Sequence, residues 1–524
     1  MNKRALLFLM SCLFLLTACG SVFGQPPEAH LVDISAVPQQ EEEEAAPQTF
    51  VPRPGGTLRL SMRNPHTLNP LLNTDVTVNS ILNLMFEPLA ILDEQQRPIP
   101  NLAESFYFAL DGRSAVIRMR PGIFWSDGQP ITAHDLAFSL DTIYQAGQQT
   151  IYKNVVYNMT SWYVLDDFTV EIHYREPSSS NIYLLCFPLI PRHHHANDTQ
   201  PLSSGFFRFQ HYITMDEMLL TANPRALRGQ PYIERVSIII TPDKETDLYA
   251  FNQGIIDVAH TEVAVWGRVR EQRQVNITDY VSNLYEFIGF NFRNPLLQEL
   301  QLRQAIAHSI NIPEIVESIY LNHATLASSP VNPASWLYET PSANHTFSLE
   351  TAQALLRSVR ARHPEIVLTL LVNEENDERV TIARILQDNL ESIGVICQLY
   401  VLPFEEYQAR IQAGNFDMFI GGFTKSLDQD WRFAFHSNAM ASGRNVFRYY
   451  SETMDQLLMQ TLHANRDETF RLAKGSFQEY FADNIPVISL VYRNRALLTD
   501  LRIGGEKRPV LNNIFHNVHE WYIM

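Results

Sequence analysis

The sequence predicts an α/β protein in which parallel strands are covered by helices and gathered into interleaved lobes. Three observations carry this. In the second half, 366–372, 379–393, 395–401, 404–412 and 416–420 read as strand, helix, strand, helix, strand, an alternation that implies parallel sheet with covering helices. The chain has 524 residues, enough for about three domains and several cores. Its 45% hydrophobic and 19% charged residues are a globular composition.

The same numbers exclude whole classes. Lys and Arg total 40 against 57 Asp and Glu, a formal net charge of −17. No basic excess is available for a phosphate backbone, so nucleic acid is not expected as a partner. With 21 Gly and 4 Cys, collagen-like and disulfide-scaffold readings fall away, and no repeat of solenoid length is visible.

Lys3 and Arg4 precede an apolar run at 5–16 that is too short to span a bilayer but suits the apolar core of an export signal. It ends in Leu16-Thr17-Ala18-Cys19, which resembles the bacterial lipoprotein signal. That resemblance implies removal of 1–18 and diacylation of Cys19, and two acyl chains anchor stably where one is marginal. Cleavage as a plain secretory peptide is the alternative. Residues 19–54 then read as the lipidated Cys and a flexible acidic tether. The segment has Pro26, Pro27, Pro38, Pro47 and the acidic run 41–44, with no Lys or Arg before Arg53, and cannot bury enough surface to fold.

The folded body is expected from Gly55-Gly56, with a first strand at 57–60 and a short helix at 79–89. Alternation at 115–120 and 168–174 reads as half-buried strands, and Pro121-Gly122 and Asp127-Gly128 as turns. Thr132 is the N-cap of a helix at 133–144, with Asp135 favouring its positive end. A strand at 236–240 and a helix at 245–253, closed by Gly254, follow. Beyond a strand at 286–291 come helices at 300–307, 312–320 and 347–362, then the alternating segment. A strand at 485–492 precedes a tail at 504–524, whose Trp521 and Tyr522 suggest that it returns to the first lobe. Cys186 and Cys397 lie in apolar text and read as buried thiols; one disulfide is allowed outside the cell, but their spacing gives no reason for it.

Short motifs run through this body in a fixed order. Gly56-Thr57-Leu58 leads to Leu68-Asn69-Pro70-Leu71, Phe86-Glu87-Pro88-Leu89 and Pro100-Asn101-Leu102-Ala103-Glu104. The most specific piece holds Arg118, Arg120, Phe124-Trp125, Asp127-Gly128, Pro130, Thr132-Ala133 and Asp135. Ala250-Phe251, Gly254 and Asp257, Phe290-Asn291, Arg303-Gln304-Ala305-Ile306, Asn415-Phe416-Asp417, Tyr449 and Met454-Asp455 complete it. Each is weak alone. Together they resemble the extracellular solute-binding proteins of the oligopeptide, dipeptide and nickel class, family 5, which serve ABC importers.

The resemblance implies a two-lobed periplasmic-binding-protein-like clamshell with an additional small domain inserted in the first lobe. Domain I would be 55–75, 201–283 and 491–524, domain II the insertion at 76–200, and domain III 284–490, with crossovers near 283 and 491 as the hinge. It implies a short peptide held between the lobes and handed to ABC permease subunits, with no turnover and no cofactor. The protein would be a monomer on the extracytoplasmic face of the cell membrane, held by the lipid on Cys19. A nickel or haem chelate as ligand, or a signalling or adhesion lipoprotein on the same scaffold, is the alternative.

Ligand-binding residues follow by the same likeness. Asn69, Phe86 and Glu87 match segments that face the cleft, and Ser203-Ser204-Gly205-Phe206-Phe207 occupies the family's Gly-Thr-Gly-Pro-Tyr position at its floor. Phe290 and Asn291 lie at the crossover. In peptide binders an aspartate in domain III holds the ligand ammonium; here its position falls on Ser426, with Asp428 as a shifted substitute. Lys425 beside it would suit a carboxylate, a phosphate or an N-blocked peptide, or would simply pair with Asp428. Trp431, with Phe433 and Phe435, would line a pocket or form core, and Arg444 would clamp a carboxylate or make a salt bridge.

Two further chemistries are weak. His193-His194-His195 are adjacent and do not converge on one ion, and no Cys-x-x-Cys or His-Glu-x-x-His completes a metal set. No Gly-x-Ser-x-Gly elbow, Walker or dinucleotide glycine motif supports an enzyme.

Overall fold

The first strand, Thr57–Met62, buries Leu58, Leu60 and Met62 on one face and leaves the residues between them half-buried, the period-two pattern of a one-sided strand. The computed structural model to which it belongs describes residues 52–194, 200–262, 273–343 and 345–524. The expected signal at 1–18, Cys19, the tether through Val51, and His195 lie outside the described residues. Residues Pro52–Met524 form one unit.

Thr57–Met62 pairs in parallel with Arg235–Ile240, and Glu217–Ala222 and Phe207–Ile213 extend this four-stranded sheet antiparallel. Asp257 is fully buried beneath its start. It accepts the Arg59 amide at 2.8 Å and the guanidiniums of Arg59, at 2.6 Å, and Arg502. A second sheet, Ala103–Phe108, Ser114–Met119, Thr169–Tyr174 and Met159–Asp166, is wholly antiparallel. The helix Ala133–Ala146 packs on it. Asp135 is buried there, accepting the amides of Thr132 at 2.8 Å and Arg192 at 2.9 Å. The third sheet has seven strands and is mixed. Val367–Asn373 runs parallel to Ile396–Leu402 and Met418–Thr424, whereas Val275–Phe290 and Val487–Asp500 run antiparallel to each other.

The architecture is thus a two-lobed α/β clamshell with an extra domain. Among the described residues, parallel pairing is confined to the alternating segment and one strand pair of the first sheet. Some antiparallel neighbours are joined by hairpins, such as the turn closed by Ala109 N to Ser114 O at 2.9 Å with Gly112 at φ 66°, whereas Val275–Phe290 and Val487–Asp500 pair antiparallel although far apart in the chain.

Two differences from the expected elements matter for the cleft. The helix placed at 79–89 spans Val76–Met85, capped by Asp75, and Phe86 leaves it extended, one residue before Glu87, where the following Pro88 disfavours helical backbone. The strands expected at 286–291 and 485–492 are longer, Val275–Phe290 and Val487–Asp500. Their pairing shifts register between Val281 and Tyr285. The tail returns to the first sheet. Ile503–Gly504 pairs with Tyr522–Ile523, Trp521 is fully buried, and Arg228 donates to His516 O at 2.8 Å. Ile523 lies against Gly56, where a Cβ would meet its Cγ1 at 2.6 Å.

Candidate ligand-binding cleft

A cavity of about 360 Å³ opens between these elements. One wall is the helix Val76–Met85, through Asn79 and Asn83, together with tail residues 510–514 and His516. Asn83 donates to Asn512 O at 3.0 Å and so ties helix to tail. A second wall comes from Tyr152, Tyr183 and Cys186, and a third from Ser426, Leu427 and Asp428. The floor is His260, Tyr280 and Arg495, carried on three neighbouring strands.

Strand register builds that floor. Tyr280 stands opposite Arg495, and His260 Nε2 lies 2.8 Å from Tyr280 Oη. Burial pushes the His260 imidazole down to about 4, helped by the positive charges of Arg495 and Lys244. Burial also pushes the Tyr280 phenol up to about 12, against the opposing pull of Arg495. Near neutral pH the imidazole is uncharged and the phenol protonated, which leaves Arg495 as the charged group of the floor. His516, pushed down to about 4 chiefly by burial and by Arg228, is likewise uncharged. Burial holds the Cys186 thiol up at about 12, so it is an inert apolar surface. Cys186 and Cys397 are both free and buried.

The third wall is an internally paired segment. Lys425 leaves the strand Met418–Thr424 with its amide on Asn283 O at 3.0 Å. Its ammonium pairs with Asp428 Oδ1 and lies 5.7 Å from the ring centres of both Trp431 and Phe433. Ser426 Oγ donates to the other Asp428 oxygen at 2.7 Å. Asp430 is engaged by Arg432 at 2.8 and 3.0 Å. Burial raises the Asp430 carboxyl, but the Arg432 guanidinium more than offsets this and holds it below the ordinary range. Behind the segment, buried Lys474 donates to Gln429 O, and burial pulls its ammonium down to about 7.

Of the residues singled out in the sequence, Ser426 and Asp428 line this cleft, with Lys425 directly behind them. The others lie elsewhere. Phe86 and Phe290 are core, 2% and 0% exposed, so their side chains face neither cleft nor solvent. Glu87 is buried and takes Asn101 Nδ2 at 2.7 Å and Arg228 at 3.4 Å. Its amide donates to Ser204 Oγ at 2.9 Å. The Ser204 and Gly205 amides both donate to Met85 O, and a Cβ at Gly205 would meet Leu84 O at 2.8 Å; this is close backbone packing. Asn69 closes its own turn through Leu71 N at 3.0 Å. Asn291 ties its strand to Gly414 O and Phe416 O at 3.0 and 2.8 Å. Trp431 is 1% exposed amid Tyr285, Phe423 and Phe435, and Arg444 is exposed on a separate groove with Arg432 and His436. His193 pairs with Asp127 at 2.8 Å. Among the described residues no cluster of His, Cys, Asp and Glu could hold a metal ion, and no helix is long and apolar enough to cross a membrane.

Sequence reading missed the floor. His260, Tyr280 and Arg495 sit in half-polar text with no motif. No local signal marks them: the two long strands are not alternately buried over 275–282 and 493–499, and Tyr280 meets Arg495 only through strand register.

A family model described as bacterial extracellular solute-binding proteins, family 5 middle, matches residues 97–442, more than half of the chain. The oligopeptide-binding protein AppA of Bacillus subtilis (strain 168) is 22% identical over 506 residues, covering 90% of this chain and 92% of its own. Among solved structures, HbpA2 from Haemophilus parasuis superposes with a TM-score of 0.78 at 21% identity, covering 90% of this chain and all of its own. The ABC transporter substrate-binding protein CtaP from Listeria monocytogenes gives 0.76 at 22%, with the same coverage. The two structural likenesses show the fold.

Proposed function

From the premise that this chain belongs to the family 5 bacterial extracellular solute-binding proteins, binding proteins of the ABC-importer type rather than enzymes, we propose that its solute is a short peptide. The observation that carries this reading is the lining of the cleft. Asn79, Asn83, Asn154, Asn512 and Asn513 line a space of about 360 Å³; Asn79 Oδ1, Asn83 Nδ2 and Asn513 Oδ1 are bonded within the protein, so a ligand would meet the opposite ends of those three amides together with Asn154 and Asn512. An amide offers both a donor and an acceptor, the pairing a peptide backbone needs, and roughly 300–1,000 Å³ is the range of small-ligand sites. The name of AppA, an oligopeptide-binding protein, is in keeping with it. Arg495 on the floor adds a planar donor fork suited to a carboxylate.

Capture would close the lobes about the strands Val275–Phe290 and Val487–Asp500. The register shift between Val281 and Tyr285 supports a hinge near 283 and 491, and with it the division into 55–75, 201–283 and 491–524 as one lobe and 284–490 as the other, with 76–200 inserted. Closure buries the ligand before delivery to the permease. The protein would stand on the extracytoplasmic face of the membrane through a diacylated Cys19; a mature mass beginning elsewhere without acyl groups would reject that anchor.

Native mass spectrometry of protein from its source, followed by release and sequencing of what it carries, tests the ligand. Short peptides are expected. A metal chelate alone, or a chemically converted product, would reject the peptide reading.

A further inference from the structure

Resting on the peptide reading, we infer that the cleft selects ligands whose amino end carries no charge, such as N-acylated or otherwise blocked short peptides, because Lys425 already occupies Asp428. Among the described residues that line the cavity, Asp428 is the one carboxylate, so a ligand ammonium has no other anion there to meet. That carboxylate is committed within its own segment. One oxygen holds the Lys425 ammonium and the other the Ser426 hydroxyl.

The pair is built in and not a loose surface contact. The Lys425 side chain is 8% exposed and that of Asp428 19%, and the rings of Trp431 and Phe433 cover the ammonium. A ligand ammonium drawing Asp428 away would leave Lys425 buried without its counter-ion, which is strongly unfavourable. The resident lysine thus fills the electrostatic role that a free peptide amino terminus would take. The remaining charge on the lining is Arg495, with His260 and His516 uncharged near neutral pH, which suits a carboxylate at the far end of a ligand neutral at its amino end. The asparagine amides can satisfy an acylated amino end as they satisfy the rest of a peptide backbone.

The test is calorimetric titration of the wild-type protein and the Lys425→Met variant with a panel of di- and tripeptides, each in free and N-acetylated form. For the wild type, acetylated forms should bind at least tenfold more tightly than their free counterparts. In Lys425→Met, Asp428 is released, and the preference should shrink or invert. Equal or tighter wild-type binding of the free forms overturns the inference while leaving the peptide reading intact, and this comparison holds even if the variant does not fold. A folded variant that keeps the wild-type ratio also overturns it. If neither form of any peptide binds, the peptide reading fails and this inference with it.

Discussion

Glu87, which is buried, and Arg228, which is half-buried, form an ion pair behind the cleft wall. Glu87 is 2% exposed, and Arg228, 3.4 Å away, also lies over the Phe206 ring at 4.6 Å and donates to His516 O. The pair therefore joins the helix exit at Phe86 to the returning tail, and its role is in holding the wall together.

Arg228→Ala should strip Glu87 of its counter-charge and cost about 3–5 kcal/mol of stability, since removing one partner strands a buried charge. Glu87→Gln should cost less, because the amide still meets Asn101 and leaves no anion behind. Chemical denaturation of both variants checks this. A smaller loss for Arg228→Ala than for Glu87→Gln would show that the pair does not support the fold.

Gly205→Ala should be destabilising by about 1–3 kcal/mol through overpacking, because the new Cβ would sit 2.8 Å from both Leu84 O and Met85 C. These are backbone atoms and cannot swing aside. Thermal unfolding reads the loss, and ligand affinity of the folded protein should be unchanged. Lost affinity with unchanged stability would place Gly205 at the ligand instead.

Lys474 should make stability pH-dependent. Burial lowers its ammonium from 10.5 to about 7, with Asp430 and Asp428 pulling it back up and Lys425 pushing it further down. The unfolded chain therefore holds more protons than the folded one between about 7 and 10.5. Stability should rise with pH across that window, be fully present above it, and be lost as pH falls through about 7. Denaturation curves at several pH values, for wild type and Lys474→Met, decide it: the variant should show a flatter profile from pH 7 to 10. An unchanged slope would mean that Lys474 keeps an ordinary ammonium in the fold.

What the sequence made legible follows the strength of its local signals. The alternating half was readable because apolar periodicity and glycine stops coincide there; Gly414, with φ 78°, ends the helix Phe404–Ala413. The Lys425–Asp428 pair was readable as one of two outcomes, because opposite charges three residues apart in one short loop are within reach of each other. The first-lobe residues Phe86, Glu87, Ser204 and Gly205, expected to face a ligand, are packed away from this cavity, and their motif has a packing role here: a helix exit before proline, a close backbone approach at glycine, and an ion pair. The floor was illegible for the opposite reason. Tyr280 and Arg495 meet only through the register of two strands more than 200 residues apart in the chain, and no local pattern encodes that pairing.

The central claim, that a short peptide is held in the cleft between the lobes, is tested most directly by blocking the cleft without disturbing the core. Ser426 is exposed on its wall, so Ser426→Trp can fill the space while the fold stays intact. Calorimetric titration of wild type and Ser426→Trp with the same short N-acetylated peptides is the measurement, with thermal unfolding as the control. Saturable binding to the wild type, lost at least tenfold in a variant of unchanged thermal stability, is the predicted result; full binding by the blocked variant would contradict the account.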